Sequence, residues 1–113
     1  MGKNKVNDGL AQLRKGVLDI AVLSLLRQRS RYGGEVVEEL AERSVLAAAA
    51  GTIYPLLTRF RTAGWVETTW QESSIGPPRK YYALTRTGHA ELARLVAAWH
   101  ALTESLTDLL EES

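Results

Sequence analysis

Thr52, Tyr54, Pro55, Thr58 and Arg59 fall within eight residues, and Arg79 and Lys80 follow a pair of prolines further along. Hydroxyls, a phenol and cationic groups in this combination donate hydrogen bonds and positive charge. That is equipment for holding a polyanion, not for breaking a bond. Other chemistry is scarce. His89 and His100 are eleven residues apart, about three helical turns, which is too far to ligate one metal ion. The chain has no cysteine, so disulfides, thiol catalysis and zinc ribbons are excluded. Ser73, Ser74 and Ser105 have no base at a recognisable spacing. The chain is therefore expected to hold no catalytic set, no metal and no cofactor.

The elements that must position the polar cluster follow from periodicity. Ile53, Leu56, Leu57 and Phe60 stand at i, i+3, i+4 and i+7 and so share one face of a helix. The opposite face carries Thr52, Tyr54, Pro55, Thr58, Arg59 and Arg61. Thr52 is the expected N-cap, Pro55 is expected in the first turn where its missing N–H costs nothing, and Gly64 is the expected stop. Residues 65–71 are rich in β-branched and aromatic side chains, with Val66, Thr68 and Trp70 on one side of a period-2 pattern. Residues 81–85 read as a second strand, and residues 72–79 punctuate the hairpin between them with Ser73, Ser74, Gly76, Pro77 and Pro78. Tyr81 and Tyr82 must point to opposite faces, so one belongs to the core. Arg79 and Lys80 are expected at the tip of the loop, where extended cations can hold phosphates. Helix, strand, basic loop and strand make a DNA-reading helix with a wing.

Upstream, apolar residues crowd the segment from Leu13 to Leu26 so densely that a first helix must be covered on several sides, more than one small domain provides. Val36, Val37 and Leu40 mark a second helix with Glu35, Glu38, Glu39 and Glu42 outward. Downstream, Leu92, Leu95, Trp99, Leu102, Leu106 and Leu109 repeat with spacings of 3 and 4 in alternation. That is a heptad seam, too short to be stable alone but able to pair two copies of a folded domain. Packing back on its own domain is the other use of such a stripe.

The net charge of +1 hides a strong segregation. Residues 1–31 carry +5, 32–50 carry −3, 51–87 carry +3 and 88–113 carry −4. One face can thus turn toward phosphate while the acidic tail turns away. With 113 residues and one modest core, a single domain is expected, and no stretch approaches the roughly 20 apolar residues of a membrane span. No apolar leader opens the chain, so the expectation is a protein of the cytoplasm with no membrane partner.

The run GTIYPLLTRFRTAGWVE followed by GPPRKYYALTRTGHAEL resembles the PadR family of bacterial transcriptional regulators. LDIAVLSLL and RYGGEVVEEL are similar to that family's first two helices, and the likeness spans roughly residues 11–110. The resemblance implies pairing through the first and last helices. The block from Gly88-His89 to Trp99 resembles the multidrug-sensing branch, in which the tryptophans of two subunits face a shared flat cavity. On that likeness Trp99 is a candidate to capture a planar aromatic effector, although a Trp on such a seam is more often plain core.

The expected fold is mainly α with a small β-hairpin: a flexible basic arm over 1–10, a winged helix-turn-helix domain over 11–87 and a C-terminal dimerisation helix over 88–113. The expected function is that of a sequence-specific DNA-binding transcriptional regulator: a ligand-responsive, homodimeric repressor on a pseudo-palindromic promoter site in double-stranded DNA. A winged-helix adaptor that binds protein and not DNA is the alternative. Steep salt dependence marks duplex binding, because neutralised phosphates release counterions. Thr52, Tyr54, Pro55, Thr58 and Arg59, with Arg79 and Lys80, are the expected DNA contacts; Arg59 suits either a phosphate or a guanine.

Overall fold

The computed structural model describes residues 5–112, with side chains from Gly9 onward. Helix α1 (Lys5–Gln28) runs into a two-residue strand β1 (Arg31–Tyr32) and helix α2 (Gly33–Ala41). A 3-10 turn (Ser44–Leu46) precedes helix α3 (Ala50–Ala63), then come strands β2 (Val66–Ser73) and β3 (Gly76–Leu84) and the long helix α4 (Arg86–Glu111). The basic arm expected over 1–10 lies partly outside the described residues, and from Lys5 on the backbone is already helical.

Three strands pair antiparallel in the order β1-β3-β2. β1 joins through Arg31 opposite Tyr82 and Tyr32 opposite Tyr81. Two residues are too few to show a period, so this strand has no sequence signature. The hairpin is tighter than its composition suggests, because the strands continue to Ser73 and from Gly76 and leave Ser74 and Ile75 as the turn. Arg79 and Lys80 therefore sit within β3, opposite Gln71 and Trp70, and not at the tip as expected. Pro77 and Pro78 are tolerated in this strand because the β2 register breaks beside them, between Gln71 and Ser73, and β1 pairs only as far as Tyr81.

The core draws on every helix. Leu18, Val22, Leu23, Leu25 and Leu26 of α1 meet Val36 and Leu40 of α2, and Ile53, Leu56, Leu57 and Phe60 of α3, with Val66, Tyr82 and Leu92 closing the cluster. All four α3 residues predicted to face inward are buried. Gly64 ends α3 in the left-handed region at φ 83°, which glycine adopts without strain. Thr85 then starts α4: its hydroxyl accepts from the Gly88 amide at 3.0 Å and donates to the Gly64 carbonyl at 2.7 Å. One side chain fixes the last helix to the end of the reading helix.

α4 leaves the domain after its first turns. Its 26 residues span about 39 Å at the usual rise, and the whole chain has a radius of gyration of 16.2 Å, against about 13 Å for a compact domain of this length. Of the heptad stripe, Leu92 is buried and Leu95 half-buried, but Trp99, Leu102, Leu106 and Leu109 are exposed. Leu13 near the other end of the chain is 73% exposed. From Trp99 onward the stripe does not fold back onto its own domain, whereas Leu92 and Leu95 pack into it.

Candidate nucleic-acid interface

Helix α3 begins at Ala50, with Ala49 in the N-cap position and no capping side chain, so Thr52 is a residue of the first turn and not the cap. Its start is instead closed by the Thr52 and Ile53 amides donating to the Ala49 carbonyl. The three extra residues at this end move Pro55 into the second turn, where its missing N–H leaves the Gly51 carbonyl without its i+4 donor. Exposure costs little there, because Gly51, Thr52, Tyr54, Pro55, Thr58 and Arg59 are all on the solvent side. Thr62 is exposed as well and lies one turn beyond Thr58 on that side; the i+4 spacing was the signal available for it.

Individual contacts sort these side chains. The Thr58 hydroxyl donates to the Tyr54 carbonyl at 3.1 Å, which spends its proton on the helix and leaves its oxygen facing outward as an acceptor. Arg59 reaches sideways to Asp19 of α1, with Nη2 2.8 Å from Oδ1, so it ties the reading helix to the first helix while its side chain stays 54% exposed. Tyr54 leans to the other flank and lies across the first turn of α2. A Cβ added at Gly33 would stand 2.8 Å from Tyr54 Cζ and 2.9 Å from its Oη, so only glycine permits this approach. The structure thus brings Tyr54 together with Arg79 and Lys80 on one open cavity of about 300 Å³, while Thr52, Pro55 and Thr58 line the face beside it.

Behind this face lies a polar junction that no spacing rule announces. Arg31, only 4% exposed, gives its guanidinium to both carboxylate oxygens of Glu39, to the carbonyls of Leu25 and Arg29 and to Gln28 Oε1. Arg29 pairs with Glu35 at 2.5 Å and approaches Glu39 at 3.6 Å. Glu35 and Glu39 therefore turn toward α1, against the expectation that both face solvent. The hydrogen bond from Arg31 holds the Glu39 carboxyl below its usual range. The Tyr82 phenol is pushed the other way by burial, so it stays protonated. The last turn of α1, strand β1 and α2 are locked together, and α2 in turn packs against the reading helix.

Along α4, His89 and His100 line a shallow groove with Arg27 at the end of α1, and Trp99 is not among its walls. Among the described residues no three His, Asp or Glu side chains cluster as a metal site, and no helix is long and apolar enough to cross a membrane.

A helix with an outward face of hydroxyls and cations, braced by a second helix and flanked by a basic hairpin, is the arrangement that duplex readers share. The family model for the transcriptional regulator PadR-like family matches residues 22–94, which contain α2, α3 and both wing strands. The chain belongs to the PadR family. A solved PadR family transcriptional regulator from Eggerthella lenta is 34% identical, with 98% of this chain and 96% of that one covered and a TM-score of 0.88. A PadR-like transcriptional regulator from Bacillus cereus is 34% identical over 88% of this chain and 96% of its own, with a TM-score of 0.79. An uncharacterised protein of Lysinibacillus sphaericus is 32% identical over 100 residues, 87% of this chain and 91% of that protein. The PadR assignment makes the chain a DNA-binding transcriptional regulator of winged-helix type and not an enzyme.

Proposed function

We propose that this PadR regulator is a cytoplasmic homodimeric repressor that sets two α3 helices into successive major grooves of a pseudo-palindromic promoter site and is released by a planar aromatic effector. The observation that carries this reading is the uncovered stripe of Trp99, Leu102, Leu106 and Leu109 on a helix that projects from the domain. Large apolar side chains in a row at heptad spacing want a partner, and a second copy supplies the same stripe. Two-fold pairing of that kind also fixes the distance between two reading helices, which is how helix-turn-helix dimers select half-site spacing. Repression follows from occupancy of a promoter.

On each protomer Thr52, Pro55 and Thr58 face the groove, Tyr54 and Arg59 flank them, and Arg79 and Lys80 reach the backbone from the wing. A gel-shift series on the regulator's own upstream DNA tests this. The wild-type protein should give a specific complex that dissolves steeply with added salt. The double variant Thr58→Ala, Arg59→Ala should lose specific retardation and keep only the weak binding seen with random duplex. Undiminished specific binding by that variant overturns the assignment.

Trp99 supports the effector part of the reading, because an indole 41% exposed on the pairing stripe meets its counterpart across a two-fold axis. Two such faces sandwich a flat ring by offset stacking. Planar aromatic cations should quench intrinsic fluorescence and weaken the DNA complex, and Trp99→Ala should abolish both effects. Quenching that persists in Trp99→Ala would place the dye against Trp65 or Trp70 and overturn the role given to Trp99. The ligand can act only through different affinities for the DNA-competent and incompetent dimers.

A further inference from the structure

We infer that the cavity between Tyr54 and the root of the wing seats one phosphate of the DNA backbone, and that Trp70 and Tyr32 are positioning residues that aim Lys80 and Arg79 at it. The inference rests on the reading of the chain as a duplex binder and assigns parts to residues which that reading does not use.

Two kinds of cation stand apart among the described residues by what they face, although Arg59 also lies 5.3 Å from the centroid of Phe60. Arg29, Arg31, Arg59 and Arg94 each face a carboxylate. Arg79 and Lys80 face rings: the Arg79 guanidinium carbon lies 4.4 Å from the centroid of Tyr32, and Lys80 Nζ lies 5.7 Å from that of Trp70 and 5.9 Å from that of Tyr82. The distinction matters electrostatically. A carboxylate orients a cation and cancels its charge, whereas an aromatic face orients it and leaves the full charge to act on a third body. Among the described residues no acidic side chain lines this cavity, so two oriented positive charges and the Tyr54 phenol converge on one opening.

The platforms are themselves held. Tyr32 meets Tyr81 edge-on, with centroids 5.5 Å apart and planes at 73°, and Tyr82 is buried in the sheet. Trp70 is different: it stands 67% exposed on the wing, buries little and has Lys80 as its neighbour across the strand pair. As a core residue it is wasted, but as a rest for Lys80 its exposure makes sense. A cation already aligned loses less freedom when it meets a phosphate. A backbone phosphate suits the site better than a base edge, because two charges and one hydroxyl give attraction with no pattern of acceptors to tell one base from another.

The test uses the full chain and two duplexes, the upstream DNA and a random sequence, titrated with salt. Trp70→Ala is expected to weaken binding by about fivefold on both duplexes. The slope of log K against log salt should become shallower by about one in that variant, as on loss of one phosphate contact. Trp70→Phe should restore most of the affinity and the slope, and Lys80→Gln added to Trp70→Ala should change little further. A purely structural Trp70 predicts a lower melting temperature with the slope intact, and that result overturns the inference. Inorganic phosphate, compared with chloride at equal ionic strength, should compete for the same seat and inhibit the wild type more strongly than Trp70→Ala; inhibition that does not differ between the two proteins overturns the assignment. If the wild-type protein ignores duplex DNA at low salt, the functional reading falls and this inference with it; if the wild type binds and Trp70→Ala keeps its slope, the inference alone falls.

Discussion

Leu102→Glu combined with Leu106→Glu converts the protein to a monomer and weakens its grip on a two-half-site operator by about 10²–10⁴-fold, the advantage that a second linked contact ordinarily confers. Both side chains are more than half exposed within one chain, at 65% and 51%, so the change removes no contact from the core and the domain should keep its helical signal and its melting temperature. Four carboxylates would then face one another where two stripes meet, each stripped of water and without a cation. Leu92→Glu provides the contrast. That residue is 2% exposed, and the same substitution there should unfold the domain.

Salt gives the pairing a second signature. The tail beyond residue 87 carries a net charge of −4, so two copies side by side repel one another, and screening over about 8 Å at physiological ionic strength relieves the repulsion. Rising salt should strengthen the dimer while it weakens DNA binding, two trends of opposite sign in one protein. Light scattering across a salt series, beside the gel shift, reads both. A doubly substituted protein that remains dimeric, or a monomer that holds the operator as tightly as wild type, defeats the proposal.

How much of this was legible beforehand depended on the range of the interaction that fixed each residue. The i, i+3, i+4 spacing of Ile53, Leu56, Leu57 and Phe60 reports local geometry, and all four lie inside. Gly64 reports a backbone angle, and the angle is there. The heptad stripe divides: Leu92 and Leu95 pack into their own domain, while Trp99, Leu102, Leu106 and Leu109 stand uncovered. The sequence misled where contacts between distant segments decide. Arg31 reads as one more surface cation, yet its partners come from the end of α1 and from α2, eight residues on. Glu35 and Glu39 look like a solvated helix face until Arg29 and Arg31 claim them. Pro77 and Pro78 look like a loop, because strand rules assume a continuous ladder, and here the ladder has a gap that admits them. Of the predicted DNA contacts, Tyr54, Arg79 and Lys80 share one cavity, whereas Arg59 turns aside to Asp19. A one-dimensional pattern lists polar residues but cannot show which of them already have a partner.

Glu39→Gln should cost about 3 kcal/mol of folding stability at neutral pH, toward the low end of what breaking a buried pair costs. For a chain of this length that corresponds to a fall of roughly 10 °C in melting temperature. The reason lies with Arg31. Its guanidinium is almost wholly enclosed, and its remaining acceptors, the carbonyls of Leu25 and Arg29 and the Gln28 amide, are neutral. Partial exposure of the Glu39 side chain, at 22%, lets water soften the loss and keeps it from the upper end of the range. The sign of the pH dependence follows from the carboxyl. Because its folded-state pKa lies below the usual value near 4.5, the pair contributes fully above that value and its contribution drains away as pH falls through the lower, folded-state one. The gap in melting temperature between wild type and Glu39→Gln should thus be constant from pH 8 to about pH 5 and close in more acid solution. Glu91 is the control: its carboxyl is also held low, by Arg94, but that arginine is 67% exposed, so Glu91→Gln should shift stability by well under 1 kcal/mol. Because Arg31 joins the end of α1 to α2, which packs against the reader, the Glu39 variant should lose operator affinity at temperatures where it is still folded, and a scan showing equal stability for both proteins at pH 7 would remove the junction from the account.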